Sequence, residues 1–308
     1  MENNNLTDEQ KKSENSRIYV LFYSFFLIPF MIAVFGAVFF LLFKFVTYET
    51  NDVEELLNQV KIGSASKRWQ SAFELAKVLN NPDSDPLSSS FKDQLSSAYE
   101  RSIHDDPLVR SYLAMAMGAT QDTTFGRSLI NGLKDKSLET RIAAIQALGM
   151  IKYAAAVNPI SQLIETADNE SERLSATISL GMIGDDSAVP HLVMLLEDEE
   201  ANIRWDAAIA LAKMGNDSGA YIIEGLLDRD YLNKFSEIDP VEQNKVLMVA
   251  IKTASILFDK RFEDNLISLS ENDKDLSIRD AAIKALEKNY SNGTCLLYTS
   301  DAADEWIG

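Results

Sequence analysis

Histidine and cysteine, two residue types that often take part in catalysis and metal binding, are scarce in this sequence. Its 308 residues include two histidines, His104 and His191, and one cysteine, Cys295. A metal site needs three or four ligands at characteristic spacings, and neither histidine has a second ligand at such a spacing. No serine stands in a Gly-x-Ser-x-Gly turn, and no Cys–His pair is present to supply a nucleophile. We therefore expect no catalytic residues, no metal site and no cofactor, and predict that the chain is not an enzyme.

Basic side chains recur along the sequence at a nearly regular spacing. They are Arg68, Arg110, Arg141, Arg173, Arg204, Lys245 and Arg279. Their spacings of 42, 31, 32, 31, 41 and 34 residues indicate a repeat of about 31 residues with insertions at 81–90 and 228–244. The arginines could contact an acidic partner. Their periodicity favours another interpretation, in which each bridges carboxylates at the helix starts of a neighbouring repeat.

Each repeat predicts a long helix followed by a shorter one. Acidic residues precede the long helix, where they suit the positive end of its dipole. Ile203, Ala207 and Leu211 then form one apolar stripe. Glycines are predicted to end the long helices, at Gly118, Gly149, Gly184 and Gly215. With no alternating strand pattern, the fold class is all-α, an α-solenoid of stacked helix pairs plus one N-terminal transmembrane helix.

The repeated motif resembles a known family. An acidic start, an aliphatic residue with Arg, two alanines and an aliphatic-x-Leu-Gly ending are similar to short HEAT-like repeats of the bilin-lyase type, over roughly residues 64–290. The resemblance implies a HEAT-repeat solenoid. It also raises an alternative function, a lyase-like or other enzyme subunit acting on a chromophore or protein substrate. Neither a matching nucleophile nor a ligand set supports that alternative.

Two tryptophans stand out as candidate partner-binding residues. Trp69 and Trp205 each follow the basic residue of a repeat and lie off the predicted buried stripe. Trp205, Asp206, Ile209 and Lys213 are predicted to share one exposed face. Aromatic side chains often anchor interfaces, and the second helices of such pairs line the concave face, so we expect a protein partner there. The alternative is that the tryptophans pack between adjacent repeats.

An uncharged run near the N-terminus predicts a membrane span. Residues 18–43 form 26 consecutive uncharged residues, of which 18 are Leu, Ile, Val or Phe. About 20 residues suffice to cross a bilayer. A cleaved signal peptide would have a shorter apolar core and a small-residue cleavage site, which the sequence lacks. Lys11, Lys12 and Arg17 before the span favour a cytoplasmic N-terminus and an exported repeat domain.

These features predict five segments. Residues 1–17 are a disordered tail, 18–45 a transmembrane helix, 51–63 a juxtamembrane helix that begins with an Asn51–Glu54 capping box, and 64–294 the HEAT-like solenoid. Residues 295–308 resemble the in-frame translation of a sequencing-library adapter. We interpret them as a non-native tail, which would remove Cys295 from the natural sequence.

Charge and organisation together favour a binding protein over an enzyme. The net charge of −18 argues against nucleic acid, which requires a basic face. The leading hypothesis is a single-pass membrane scaffold that mediates protein–protein interaction within a membrane-associated complex, with a basic partner surface. Polysaccharide or peptidoglycan binding is a third hypothesis, which depends only on export of the domain.

Overall fold

The computed structural model describes residues 23–46, 52–81, 86–235 and 238–290. The predicted tail at 1–17 and the adapter-like segment at 295–308 lie outside these residues. The chain divides into two compact units, residues 1–51 and residues 52–308, which are described separately. Within the described ranges every regular element is helical, which confirms the all-α prediction.

The described part of the N-terminal unit, residues 23–46, is apolar and helical. A π-helical turn at Tyr23–Leu27 leads into helix α1, Ile28–Val46. Pro29 lies in the first turn of α1; a proline lacks the N–H that would bond back one turn, so a widened turn before it is expected. Phe25–Phe43 has a mean hydropathy of 2.7 and none of it is buried, so it is long and apolar enough to cross a membrane.

The second unit contains fifteen helices in the described residues. They are α2 (Val53–Ile62), α3 (Ala65–Leu79), α4 (Ser89–Arg101), α5 (Pro107–Ala119), α6 (Gly126–Gly132), α7 (Leu138–Met150), α8 (Val157–Thr166), α9 (Glu170–Ile183), α10 (Val189–Met194), α11 (Ala201–Lys213), α12 (Ala220–Leu226), α13 (Arg229–Leu232), α14 (Pro240–Leu257), α15 (Glu263–Asn272) and α16 (Leu276–Tyr290). Short 3-10 turns link several of them.

The long helices form one continuous layer. Helices α3, α5, α7, α9, α11, α14 and α16 each contact the next, and a second helix packs on each; α4 is as long as α5, and the other second helices are shorter than their partners. Along the chain each long helix except the last is followed by a shorter one, as predicted, and most of the shorter helices pack more extensively on the long helix that comes after them. Helix α2 is the short helix of the first pair: Leu56, Leu57 and Val60 are buried in the core shared with the repeats. It begins at an Asp52 cap, whose carboxylate accepts the Glu54 N–H at 3.0 Å.

Glycines let neighbouring long helices approach closely. A Cβ added to Gly118 would lie 2.9 Å from Ala147 Cα, one on Gly149 would lie 2.9 Å from Ser179 Cβ, and one on Gly181 would lie 2.5 Å from Ala210 Cβ. These three contacts join α5 to α7, α7 to α9 and α9 to α11.

Two of the four glycines that were predicted to end helices therefore have a different role. Gly118 and Gly149 lie inside the last turns of α5 and α7, where the close approach requires a missing side chain. Gly184 does cap α9 with φ +67°, and Gly215 follows α11 with φ +76°. After α7 the corresponding left-handed position is occupied by Lys152, φ +50°.

Candidate functional site

Four of the repeated arginines form a ladder between successive repeats. Each pairs with a carboxylate at the start of the next long helix or in the loop before it: Arg68 with Asp105, Arg110 with Asp135, Arg141 with Glu172, and Arg173 with Asp198. A carboxylate in such a position also suits the positive end of the helix dipole. The stacking interpretation is confirmed for these four residues, which we call the arginine ladder.

Arg110 is the most buried member of the arginine ladder. Its side chain is 5% exposed, and its Nε lies 2.9 Å from Asp135 Oδ2. The guanidinium also donates to the Tyr99 carbonyl at 2.9 Å and lies over the Tyr99 ring at 4.4 Å. Burial raises the pKa of Tyr99 to about 12, although the neighbouring Arg110 opposes the shift. This arginine therefore joins two repeats by charge, hydrogen bond and ring contact.

The ladder ends at the fifth arginine. Arg204 donates to the backbone carbonyls of Asp198 (2.6 Å) and Glu199 (2.9 Å) in the loop before its own helix. No carboxylate of the described ranges forms an ion pair with it. Beyond it, Arg229 from the second insertion pairs with Asp273 and donates to Asn244 at 2.8 Å. Burial alone would raise the pKa of Asp273, but the Arg229 hydrogen bond holds it below its ordinary value.

Where the ladder ends, a groove of about 520 Å³ opens between α11 and α14. We call it the α11–α14 groove. Three of the five predicted partner-binding residues, Trp205, Asp206 and Ile209, line it together. The rest of its lining comes from neighbouring helices and from the second insertion, namely Glu170, Glu200, Ala201, Asn202, Leu226, Phe235, Ile238, Glu242, Lys245, Val246 and Val249. Trp69 and Lys213 do not line this groove.

Trp205 is buried, which corrects the prediction that it lies on an exposed face. Only 8% of it is exposed, and its ring meets Phe235 edge to face at 4.9 Å. Phe235 belongs to the second insertion, and the repeat pattern gave no sign that an inserted residue would cover the indole. The indole Nε1 has no hydrogen-bond partner among the described atoms. Trp69, on the first long helix, is half-buried against the core.

Asp206 is a half-buried carboxylate without a direct partner. No hydrogen bond or ion pair joins its side chain to another described residue, in contrast to Asp135 and Asp273. Burial raises the pKa of Asp206. The charge of the exposed Lys213 acts in the opposite direction without cancelling this increase. A carboxylate in this state gains most from a cation delivered by a binding partner.

A row of mostly apolar side chains crosses the long-helix layer. It occupies the position five residues after each arginine from Arg68 to Arg204, where Gln146 is the one polar residue and the apolar members are Phe73, Met115, Ile178 and Ile209. Phe73 and Ile178 are 42% and 41% exposed. Phe73 also meets Tyr112 of the next long helix at 5.2 Å. We call these four residues the apolar row; it reaches the α11–α14 groove at Ile209.

Sequence reasoning missed several residues of this region. Val246 follows Lys245 just as Trp205 follows Arg204, so the repeat register could have placed Val246 beside the candidates. Phe235 and Ile238 could not be placed, because they belong to an insertion without a repeat register. Among the residues that the structure describes, no group of three or more His, Cys, Asp or Glu side chains is placed to hold a metal ion.

Comparison with known families and structures supports the repeat class. Residues 93–180 and 157–232 match the family of HEAT repeats. No curated protein matches the chain.

Several solved structures are similar to this chain at low sequence identity. The complex of CpcE and CpcF of phycocyanin lyase from Nostoc sp. PCC7120 is 17% identical with a TM-score of 0.53, over 81% of this chain and 92% of that one. The Escherichia coli protein YibA is 17% identical with a TM-score of 0.49, over 76% and 82%. Human deoxyhypusine hydroxylase is 14% identical with a TM-score of 0.33, over 77% and 84%. At 17% identity the likeness to the phycocyanin lyase complex concerns the fold alone.

Proposed function

We propose that this HEAT-repeat protein binds another protein through the apolar row of its long helices, and that its N-terminal helix anchors it in a membrane. The observation that carries the proposal is the exposure of Phe73 and Ile178 at the same repeat position. Two large apolar side chains exposed at the same register of stacked helices are typical of an interaction surface.

The spacing of the helices supports this choice of face. Glycine contacts such as Gly181 against Ala210 draw the long helices together. In a curved array the more closely spaced layer lies on the inner side. The long helices would then form the concave face, which solenoid proteins use for binding.

The anchor is supported by the composition and exposure of α1. Its apolar window, Phe25–Phe43, has no charged residue and none of it is buried. In this proposal the repeat domain is exported and the N-terminus is cytoplasmic, as the basic residues before the span favour. Protease added to intact spheroplasts checks the orientation: it should degrade the repeat domain, whereas protection of that domain would reverse the orientation.

A pair of matched isoleucine substitutions tests the partner surface. Ile178→Asp alters the apolar row, and Ile267→Asp alters a short helix at a similar exposure, 41% against 37%. The full-length protein is purified in mild detergent with each variant, and co-purifying proteins are identified by mass spectrometry. We expect one protein to be lost with Ile178→Asp and retained with Ile267→Asp. Loss with both variants, or with neither, would contradict this surface.

A further inference from the structure

We propose, as a refinement that rests on the protein-binding function above, that the α11–α14 groove binds an extended peptide segment in which a lysine or arginine stands between bulky aliphatic residues. The basic side chain would pair with Asp206, and an aliphatic neighbour would contact Ile209 and Val249. The partner is thus defined by its chemistry, a basic and aliphatic segment of another protein.

The size of the groove suits such a segment. Its volume of about 520 Å³ falls in the range of roughly 300–1,000 Å³ that is typical of ligand sites. It lies where the layer is packed less closely, since α11 contacts α14 less extensively than it contacts α9. The space exists because an insertion separates these two long helices, so it is not a gap between ordinary repeats.

The charge of the groove selects a cation. Four carboxylates line it, Glu170, Glu200, Asp206 and Glu242, against the single Lys245. Asn202 donates to Glu170 at 2.8 Å, which fixes one of these carboxylates at the groove edge. Asp206 is half-buried and forms no hydrogen bond with the described residues, so a lysine or arginine would supply the partner that the fold does not. Charge-assisted hydrogen bonds of this kind are among the stronger ones.

The apolar lining selects the neighbours of that cation. Ile209 and Val246 are half-buried, and Val249 is 40% exposed. These side chains line the same groove as Asp206, so a residue next to the cation would contact them. The aliphatic contacts would provide affinity, and the carboxylate would make the groove selective for a positively charged side chain.

Charge argues against other occupants. A second copy of this chain carries a net charge of −18, so it would bring like charge to the acidic groove. Nucleic acid would do the same. The chain's own Lys11 and Lys12 stand between Gln10 and Ser13, without an aliphatic neighbour.

Three short labelled peptides test the inference. The probe is Gly-Ser-Gly-Leu-Lys-Leu-Gly-Ser-Gly; the second peptide replaces Lys by Glu, and the third replaces both Leu by Ser. Binding to the full-length protein in detergent micelles is followed by fluorescence anisotropy, with protein-free micelles as the blank. We expect the Leu-Lys-Leu peptide to bind, the glutamate peptide not to bind, and the serine peptide to bind at least about tenfold more weakly.

Two aspartate substitutions separate groove binding from general attraction to an acidic protein. Asp206→Asn should weaken binding of the Leu-Lys-Leu peptide by about tenfold. Asp280→Asn, on the long helix α16 outside the groove, should leave it unchanged, because Asp280 pairs with Lys284 at the surface. Equal effects of the two substitutions, or no effect of Asp206→Asn, would overturn the inference.

The outcome also distinguishes this inference from the proposed function. If a protein partner is lost with Ile178→Asp but the Leu-Lys-Leu peptide fails to bind, the apolar row stands and the groove chemistry is wrong. If the peptide binds through Asp206 but no partner depends on Ile178, the groove chemistry stands and the partner surface is wrong.

Discussion

The regular stack of α5, α7, α9 and α11 and the junction between α11 and α14 are built from the same repeat but use it differently. In the stack, each glycine meets the next helix and each ladder arginine has a carboxylate. At the junction, Arg204 has only carbonyl partners and Asp206 is unpaired. The junction thus lacks the arginine–carboxylate pair that joins neighbouring long helices in the stack.

The largest expected difference concerns the arginines of the two regions. Arg110→Met should lower the free energy of unfolding by about 3–5 kcal/mol, because it leaves the Asp135 carboxylate buried without a cation. Arg204→Met should lower the free energy of unfolding by only about 1–2 kcal/mol, because it removes hydrogen bonds to two carbonyls and leaves no buried charge unpaired. Urea denaturation of the full-length variants, followed by circular dichroism, measures both. Equal losses would remove the distinction between stack and junction.

A second difference is expected for two helical glycines. Gly181→Ala should destabilise the protein by about 1–2 kcal/mol, because its Cβ would meet Ala210 Cβ at 2.5 Å. Gly225, on α12, has no neighbour closer than 3.6 Å, so Gly225→Ala should be neutral or stabilise by up to about 1 kcal/mol through helix propensity. Thermal unfolding of the two variants checks this; a stabilised Gly181→Ala variant would show that the stack is less tightly packed.

The unpaired carboxylate predicts a pH dependence of stability. Burial raises the pKa of Asp206, so the folded state binds its proton more tightly than the unfolded state. Its contribution is favourable below the unfolded pKa and is lost as pH rises through the folded pKa. Asp206→Asn should therefore stabilise the protein at pH 7 by on the order of 1 kcal/mol, a gain that disappears near pH 3.

The matched control for this prediction is a paired carboxylate at the same junction. The pKa of Asp273 is lowered, so its contribution is present at neutral pH and is lost as pH falls. Asp273→Asn should consequently destabilise the protein at pH 7. The charged groups that line the groove around Asp206, or act on it, are Glu170, Glu200, Glu242, Lys245 and Lys213. Identical pH profiles for the two variants would contradict the assignment of Asp206 as unpaired.

The smallest expected effect concerns the ends of α7 and α11. Lys152 adopts φ +50° after α7, whereas Gly215 occupies the left-handed position after α11. Lys152→Gly should stabilise by about 0.5 kcal/mol, and Gly215→Lys should destabilise by about 1 kcal/mol, because a Cβ is disfavoured in this conformation. The shift in unfolding midpoint measures each change, and a destabilised Lys152→Gly variant would contradict it.

The part of the fold that repeats could be predicted from the sequence. The periodic basic residues located the long helices, and the acidic residues before those helices indicated the kind of partner that Arg68, Arg110, Arg141 and Arg173 have in the structure. A repeated position has the same neighbours in each copy, so one pattern describes many contacts. The assignment of Gly118 and Gly149 as helix ends failed, because a glycine in the sequence does not say whether it serves a turn or a close approach.

The candidate site was predicted only in part, because it depends on a departure from the repeat. Trp205, Asp206 and Ile209 were chosen by register and do share one groove. The burial of Trp205 depends on Phe235, a residue of the insertion about thirty positions later in the sequence. No local sequence pattern specifies which residues of a repeat an inserted loop will contact.

The sequence by itself determined the helical class, the apolar N-terminal segment, the repeat period and the pairing of arginines with carboxylates. Each of these depends only on local periodicity and residue type. The tertiary structure alone decided which helices pair, which glycines meet a neighbouring helix, and where the ladder ends. It also decided that Asp206 lies half-buried without a partner. Such features depend on residues far apart in the chain that folding brings into contact.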